Sequence, residues 1–150
     1  MELPEFRGFA KIARLSREIF ISEKIDGTNS SIYISDDLGH HIAGSRNRWI
    51  TPQSDNHGFA KWVEANKEEL LELGAGHHFG EWWGSGIGRG YGLKEKRFSL
   101  FNVGRWDIGN IPKCCHIVPL LNIGIFSTEL IEQSLNILKE FGSLAEPGYL

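Results

Sequence analysis

The sequence has 150 residues, of which 41% are apolar, 23% charged and 11% aromatic, a profile that suits one folded domain and excludes a disordered or collagen-like chain. The 16 basic and 19 acidic residues give a formal net charge of −3, which argues against a chain-wide electrostatic footprint for nucleic acid but leaves room for a local one. No run approaches the roughly 20 apolar residues of a membrane helix, and the Met-Glu-Leu-Pro-Glu start lacks the features of a signal peptide, so a soluble, cytoplasmic protein without a membrane partner is expected.

Along the chain, Glu18 to Ile25 and Ser31 to Ser35 alternate isoleucines with other residues and read as half-buried strands, with Asp26-Gly27 between them as a hairpin-type turn. His41 to Arg46 reads as a third strand. Gly58 to Leu73 sets Phe59, Trp62, Val63, Leu70 and Leu71 largely on one helical face, with Gly74 as the stop. His77 to Trp83 and Arg97 to Val103 read as aromatic strands joined by a loop rich in glycine, a residue that numbers 18 in the chain where about 7% is usual. Ser127 to Phe141 is a second amphipathic helix, capped by Ser127 and Gly142. Antiparallel strands with two helices between them indicate an α+β protein.

Between Ser85 and Lys113 there are six basic residues, Arg89, Lys94, Lys96, Arg97, Arg105 and Lys113, against two acids, Glu95 and Asp107. Arg48-Trp49, Arg89-Gly90-Tyr91 and Arg105-Trp106 pair cations with aromatics, as single-stranded nucleic-acid surfaces do, although these rings serve packing equally well. The adjacent Cys114 and Cys115 offer no disulfide framework and read as free thiols. With His116 and the His40-His41 and His77-His78 pairs they lack metal-ligand spacing, and no metal site is expected from protein side chains.

The sharpest local feature is Glu23-Lys24-Ile25-Asp26-Gly27-Thr28-Asn29. Taken alone, it is an exposed lysine beside a turn. A nucleophilic lysine would need nearby cations or desolvation, because the free amine is almost fully protonated at neutral pH. The segment closely resembles the nucleophile motif of covalent nucleotidyltransferases, specifically the ATP-dependent RNA ligases that seal nicks in double-stranded RNA. Gly44-Ser45-Arg46-Asn47-Arg48 is similar to the short arginine motif that follows in that family. Phe79-Gly80-Glu81-Trp82 resembles its glutamate strand motif, and Phe98-Ser99-Leu100-Phe101-Asn102-Val103 its aromatic strand motif, all in the family's order.

The resemblance implies an α+β nucleotidyltransferase (ATP-grasp-like DNA/RNA ligase) adenylation domain, with antiparallel sheets flanking a nucleotide cleft. It implies that Lys24 attacks the α-phosphate of ATP and holds AMP, with Mg²⁺ (or Mn²⁺) assisting, before AMP passes to a 5′-phosphate and a 3′-hydroxyl closes the phosphodiester. The backbone around Glu23 and Ile25 would read the adenine edge and Phe101 would stack on its face. Arg46 and Glu81 would bind the ribose and orient the phosphates, Asn29 would contact phosphate, and Asp26 and Gly27 would shape the turn. The partners implied are RNA ends or nicks.

Two later family motifs, an acidic Glu-Gly and a Lys-x-Lys, do not follow Val103. Glu146-Pro147-Gly148 is not the first, and Lys94-Glu95-Lys96 lies upstream of Phe101. The expectation is a C-terminally incomplete domain, truncated or completed by a partner chain, with an uncovered sheet edge prone to self-association. Catalysis by this chain alone therefore stays open, and two alternatives stand beside it. One is a non-catalytic nucleotide- or RNA-binding remnant; the other is a nucleotidyltransferase of the DNA ligase or capping type.

Overall fold

A computed structural model describes residues 2–9 and 17–146. A six-stranded sheet in the order β4-β3-β2-β5-β6-β7 forms its centre, and a two-stranded sheet pairs β1 with β8. The strands are β1 (Glu18–Ser22), β2 (Thr28–Ile34), β3 (His41–Gly44), β4 (Trp49–Ile50), β5 (Gly76–Gly84), β6 (Lys96–Leu100), β7 (His116–Ile117) and β8 (Leu120–Ile125). All neighbours are antiparallel except β6 and β7. Among the described residues no helix is long and apolar enough to cross a membrane.

Strand alternation divides the large sheet into two faces. One carries Ile32, Ile34, Ala43, Trp82, Phe98 and Leu100, which pack with Phe59 and Val63 of helix α1 (Phe59–Ala65) as the main core. Phe59 sits 5.2 Å from the Trp82 ring and 5.1 Å from Phe98. The other face carries Asn29, Ser31, Phe79, Glu81 and Ser99, placed in common rows by the registers Asn29↔Glu81, Ser31↔Phe79 and Glu81↔Ser99.

Two sequence expectations change here. The helix read over Gly58 to Leu73 is three pieces: α1, a short α2 (Lys67–Leu70) and a 3₁₀ turn at Leu71–Leu73. Asn66 breaks it, because its side-chain amide donates to Trp62 O at 2.8 Å and competes with the helical backbone pattern. At the other end, the Asp55 carboxylate accepts the Ala60 and Lys61 N–H groups of the first turn, satisfying donors a helix leaves free.

The hairpin expected at Asp26-Gly27 does not form. β1 ends at Ser22 and pairs with β8 in the other sheet, while β2 pairs with β3 and β5. Residues 23–27 carry the chain from one sheet to the other, and their N–H groups bond elsewhere: Glu23 to Pro119 O, Asp26 to the Tyr91 hydroxyl and Gly27 to Glu81.

Helix α3 (Thr128–Phe141) begins where expected, with Ser127 Oγ accepting the Leu130 N–H at 3.1 Å. It stops at Gly142, whose φ of 74° favours glycine. The α3 helix packs on β8, while Phe20, Ile123 and Ile125 of the small sheet stay exposed to solvent. Of the turn read at Glu146-Pro147-Gly148, residues 147–150 lie outside the described residues.

Candidate nucleotide site

Lys24 stands exposed between two buried neighbours, Glu23 at 7% and Ile25 at 3% exposure. Ile25 packs with Trp83, Tyr91 and Val118. The Glu23 carboxylate accepts the Ser143 hydroxyl and, at 2.8 Å, the Leu144 N–H. Burial on both sides thus fixes the backbone and leaves the amine facing outwards.

The next two residues are held as firmly. Asp26 N–H donates to the Tyr91 hydroxyl at 2.8 Å, and the Asp26 carboxylate accepts the Arg89 N–H at 2.8 Å. Gly27 N–H donates to Glu81 Oε2 at 3.0 Å. A Cβ on Gly27 would fall 2.5 Å from Trp82 O, so only glycine fits this crossing of β5.

Glu81 lies at the centre of this arrangement. Burial pushes its carboxyl up to about 7, against the Gly27 hydrogen bond and the positive charges of Arg46 and Lys24, while Asp26 adds to the rise. Arg46 sits at the tip of a turn closed by Ser45 N–H to Arg48 O at 2.8 Å. Asn29 is the register partner of Glu81 on β2. Phe101 follows β6 directly, and its N–H donates to Phe79 O at 3.0 Å.

Lys24, Asp26, Gly27, Asn29, Arg46 and Glu81 therefore gather around one point of the sheet. Phe101 stands farther along the sheet, on a cavity of about 440 Å³ between the two sheets that is also lined by Phe20, Ser22, His77 and Phe79. This volume is in the range of small-ligand sites. Glu23 is turned towards the Ser143–Leu144 segment, and its N–H is already bonded to Pro119.

The basic run between Ser85 and Lys113 is partly neutralised. Arg97 pairs with Glu95 and Glu146, and Arg105 donates to Leu73 O while lying 4.5 Å from the Trp106 ring centroid. Arg48 holds the 48–55 turn through Ser54 and Asp55. Cys114 and Cys115 are both free, and burial pushes both thiols up, Cys114 to about 11.

Sequence reasoning missed the part played by the loop after Glu81. Gly84, Gly86, Gly88, Gly90, Tyr91 and Gly92 all have positive φ, and the loop folds back onto the lysine turn through Arg89 and Tyr91. Its alternating glycines were the visible signal, but they do not tell which residues the loop meets.

The RNA ligase family model matches residues 17–146. Among solved structures, the chain is similar to a Naegleria gruberi RNA ligase mutant with ATP and Mn at TM-score 0.58 and 22% identity, covering 83% of this chain and 41% of that one. A second mutant of that ligase, with AMP and Mn, gives TM-score 0.57 at 21% identity, covering 84% and 41%. At these identities the likeness speaks for the fold, and the chain spans about 41% of the length of those ligase chains. No curated protein matches it. The ordered motifs, the two sheets of mainly antiparallel strands and a family match across nearly all described residues lead to one conclusion: the chain belongs to the RNA ligase family.

Proposed function

We propose that this chain is an ATP-binding nucleotidyltransferase domain of RNA ligase type, with Lys24 as the nucleophile. The observation that carries the reading is the convergence of Lys24, Arg46 and Asp26 on Glu81, beside Asn29 and on the sheet face that leads to Phe101. The solved ligases of similar fold that hold ATP or AMP with Mn support it.

In the proposed step, the deprotonated Lys24 Nζ attacks the α-phosphorus of ATP. A P–N bond forms as the P–O bond to pyrophosphate breaks; pyrophosphate leaves, and one amine proton passes to solvent. Glu81, near its midpoint at neutral pH, accepts or donates a hydrogen bond at the ribose. Arg46 supplies positive charge, Asn29 contacts phosphate, and Phe101 offers a stacking face for adenine. With the Glu23 N–H bonded to Pro119 O, the Glu23 carbonyl and the Ile25 backbone are the groups left to read the base edge, while Asp26 and Gly27 fix the turn. Transfer of AMP to an RNA 5′-phosphate and closure by a 3′-hydroxyl belong to the same reading, with RNA ends or nicks as partners.

Among the described residues no group of three or more His, Cys, Asp or Glu is arranged to hold a metal ion. Glu81, half-protonated near pH 7, is a poor sole ligand. Mg²⁺ or Mn²⁺ would arrive on the nucleotide phosphates, where it would neutralise charge. A cytoplasmic location, where ATP is abundant and thiols stay reduced, fits the two free cysteines.

The test is intact-protein mass after incubation with ATP and Mg²⁺, beside Lys24→Ala. An adduct of one AMP that disappears in the variant supports the proposal. ATP binding without an adduct favours the alternative of a nucleotide-binding domain without adenylation. Labelling with GTP in place of ATP would point to a capping-type enzyme.

A further inference from the structure

The N-terminal segment crosses the site face of the large sheet and is anchored at two places. Pro4 O accepts the Trp49 indole N–H at 3.4 Å, and Phe6 meets the Trp49 ring edge-on at 5.2 Å. Three residues further on, Phe9 lies against two rings of the cavity wall, 5.5 Å from Phe79 and 5.2 Å from Phe101. Phe9 is nevertheless 48% exposed, so it is held by ring contacts on one side and by water on the other.

Phe101 is also the ring that the proposed function gives to adenine. A flat base inserted between two aromatic rings needs about 7 Å between them, twice the usual carbon–carbon contact of about 3.5 Å. The 5.2 Å separation leaves no room for one. Phe9 thus holds a place that a base stacked on this side of Phe101 would take.

The anchorage of the segment is weak. Its one direct hydrogen bond among the described residues, from Trp49 to Pro4, is long, and Leu3 and Phe9 are both exposed. His77, stacked on Phe79 with its ring centroid 6.0 Å away, keeps a buried Nδ1 with no hydrogen-bond partner. Burial, and after it the charge of Arg7 in the segment, disfavours protonation of this imidazole. A covering held by two phenylalanine rings and one long hydrogen bond is one that a ligand with a larger π-face can displace.

We propose that residues 2–9 are a displaceable strap whose Phe9 occupies a nucleobase-stacking face formed by Phe79 and Phe101, so that the strap and the purine ring of a nucleotide bind there in competition. The strap mimics a base with a side chain. Its release exposes Phe101, and its return covers an apolar face when nucleotide is absent. This inference rests on the reading of Phe101 as the adenine platform.

The experiment compares the ATP affinity of the whole chain with that of Phe9→Ala and Phe101→Leu, and follows trypsin cleavage after Arg7 with ATP or with inorganic tripolyphosphate. Phe9→Ala alters a half-exposed side chain and leaves the core untouched. The proposal expects it to tighten ATP binding about three- to tenfold, the range of one aromatic pair. It also expects ATP, but not tripolyphosphate, to speed cleavage after Arg7 at least threefold. Unchanged or weaker binding in Phe9→Ala, with weaker binding in Phe101→Leu, overturns the strap and leaves the adenine platform standing. Unchanged binding in Phe101→Leu removes the platform and the strap with it. If the unaltered chain binds no ATP, gain of binding in Phe9→Ala supports the strap, and continued absence of binding overturns it.

Discussion

The N–H of Gly27 points at Glu81 Oε2 across 3.0 Å, so the turn carrying the lysine and the central strand carrying the glutamate are tied by one hydrogen bond. That bond has one end on backbone and the other on a carboxyl near its midpoint at neutral pH. The placement of Lys24 is thereby linked to the protonation of Glu81, 54 positions beyond the Gly27 that it holds.

Glu81 should make stability fall as pH rises. Below about pH 4.5 the carboxyl is protonated in both folded and unfolded chains and contributes nothing. Between about 4.5 and 7 the unfolded chain ionises while the folded one still holds its proton, so folding loses free energy; above about 7 the loss is constant. Allowing for screening of a part-exposed group, the loss is about 1–2 kcal/mol. Glu81→Gln keeps an acceptor for Gly27 and removes this slope, so its stability advantage over the unaltered chain should grow from pH 5 to pH 8 in urea melts.

Gly27→Ala should destabilise the fold by about 1–3 kcal/mol, since the added methyl has no room to relax. The atoms it meets are Trp82 O and Trp83 Cβ, at 2.5 and 2.7 Å, and both are fixed by the sheet. Thermal unfolding beside Gly86→Ala separates crowding from backbone strain, because a Cβ at Gly86 meets nothing within 4 Å but has a φ of +78°.

Tyr91→Phe keeps the ring against Trp83, 5.1 Å away, and deletes the acceptor of the Asp26 N–H. The cost should be about 1–2 kcal/mol, felt at the lysine turn more than in the core. Hydrogen exchange should quicken at Asp26 while Ile32 and Phe98 stay protected. Equal protection at Asp26 in both proteins would remove Tyr91 from any role in holding the turn.

The small sheet presents Phe20, Ile123 and Ile125 to solvent, the last at 62% exposure, and among the described residues each of its two strands has an unpaired edge. Such a surface should associate with copies of itself. Sedimentation should give a mass that rises with concentration, and Ile123→Lys with Ile125→Lys should return it towards the monomer. A concentration-independent monomer would show that this face does not self-associate.

The strands β2, β3, β5 and β6 were legible because each sets apolar residues, Ile32 and Ile34, Ala43, Trp82, Phe98 and Leu100, against a common core, and α3 was legible from its caps. The Asp26-Gly27 turn misled for a physical reason. A local Asp-Gly signal describes a bend and says nothing about which sheet receives each arm, and here Glu23, Asp26 and Gly27 all find their hydrogen-bond partners far along the chain. The short β4, β7 and β8 strands carry too few residues or too irregular an alternation to stand out. At the site, the motif residues Lys24, Asn29, Arg46 and Glu81 were visible as chemistry. Arg89 and Tyr91 were visible only as a cation–aromatic pair and not as the groups that hold Asp26, and Phe9 was not visible at all, because a glycine-rich loop and a lone aromatic residue acquire their meaning only from what they touch.

The closing of β1 on β8, and of Glu23 on Leu144, gives synthesis a direction. Glu18 waits for Ile125, and the glutamate beside the lysine waits for a backbone N–H that lies 121 residues later. At about 5–20 residues per second on the ribosome, that interval is roughly 6–24 s, and for most of it Ile19, Phe20 and Ile21 have no strand to pair with. A nascent chain thus exposes Lys24 well before the residues that complete its seat have been made.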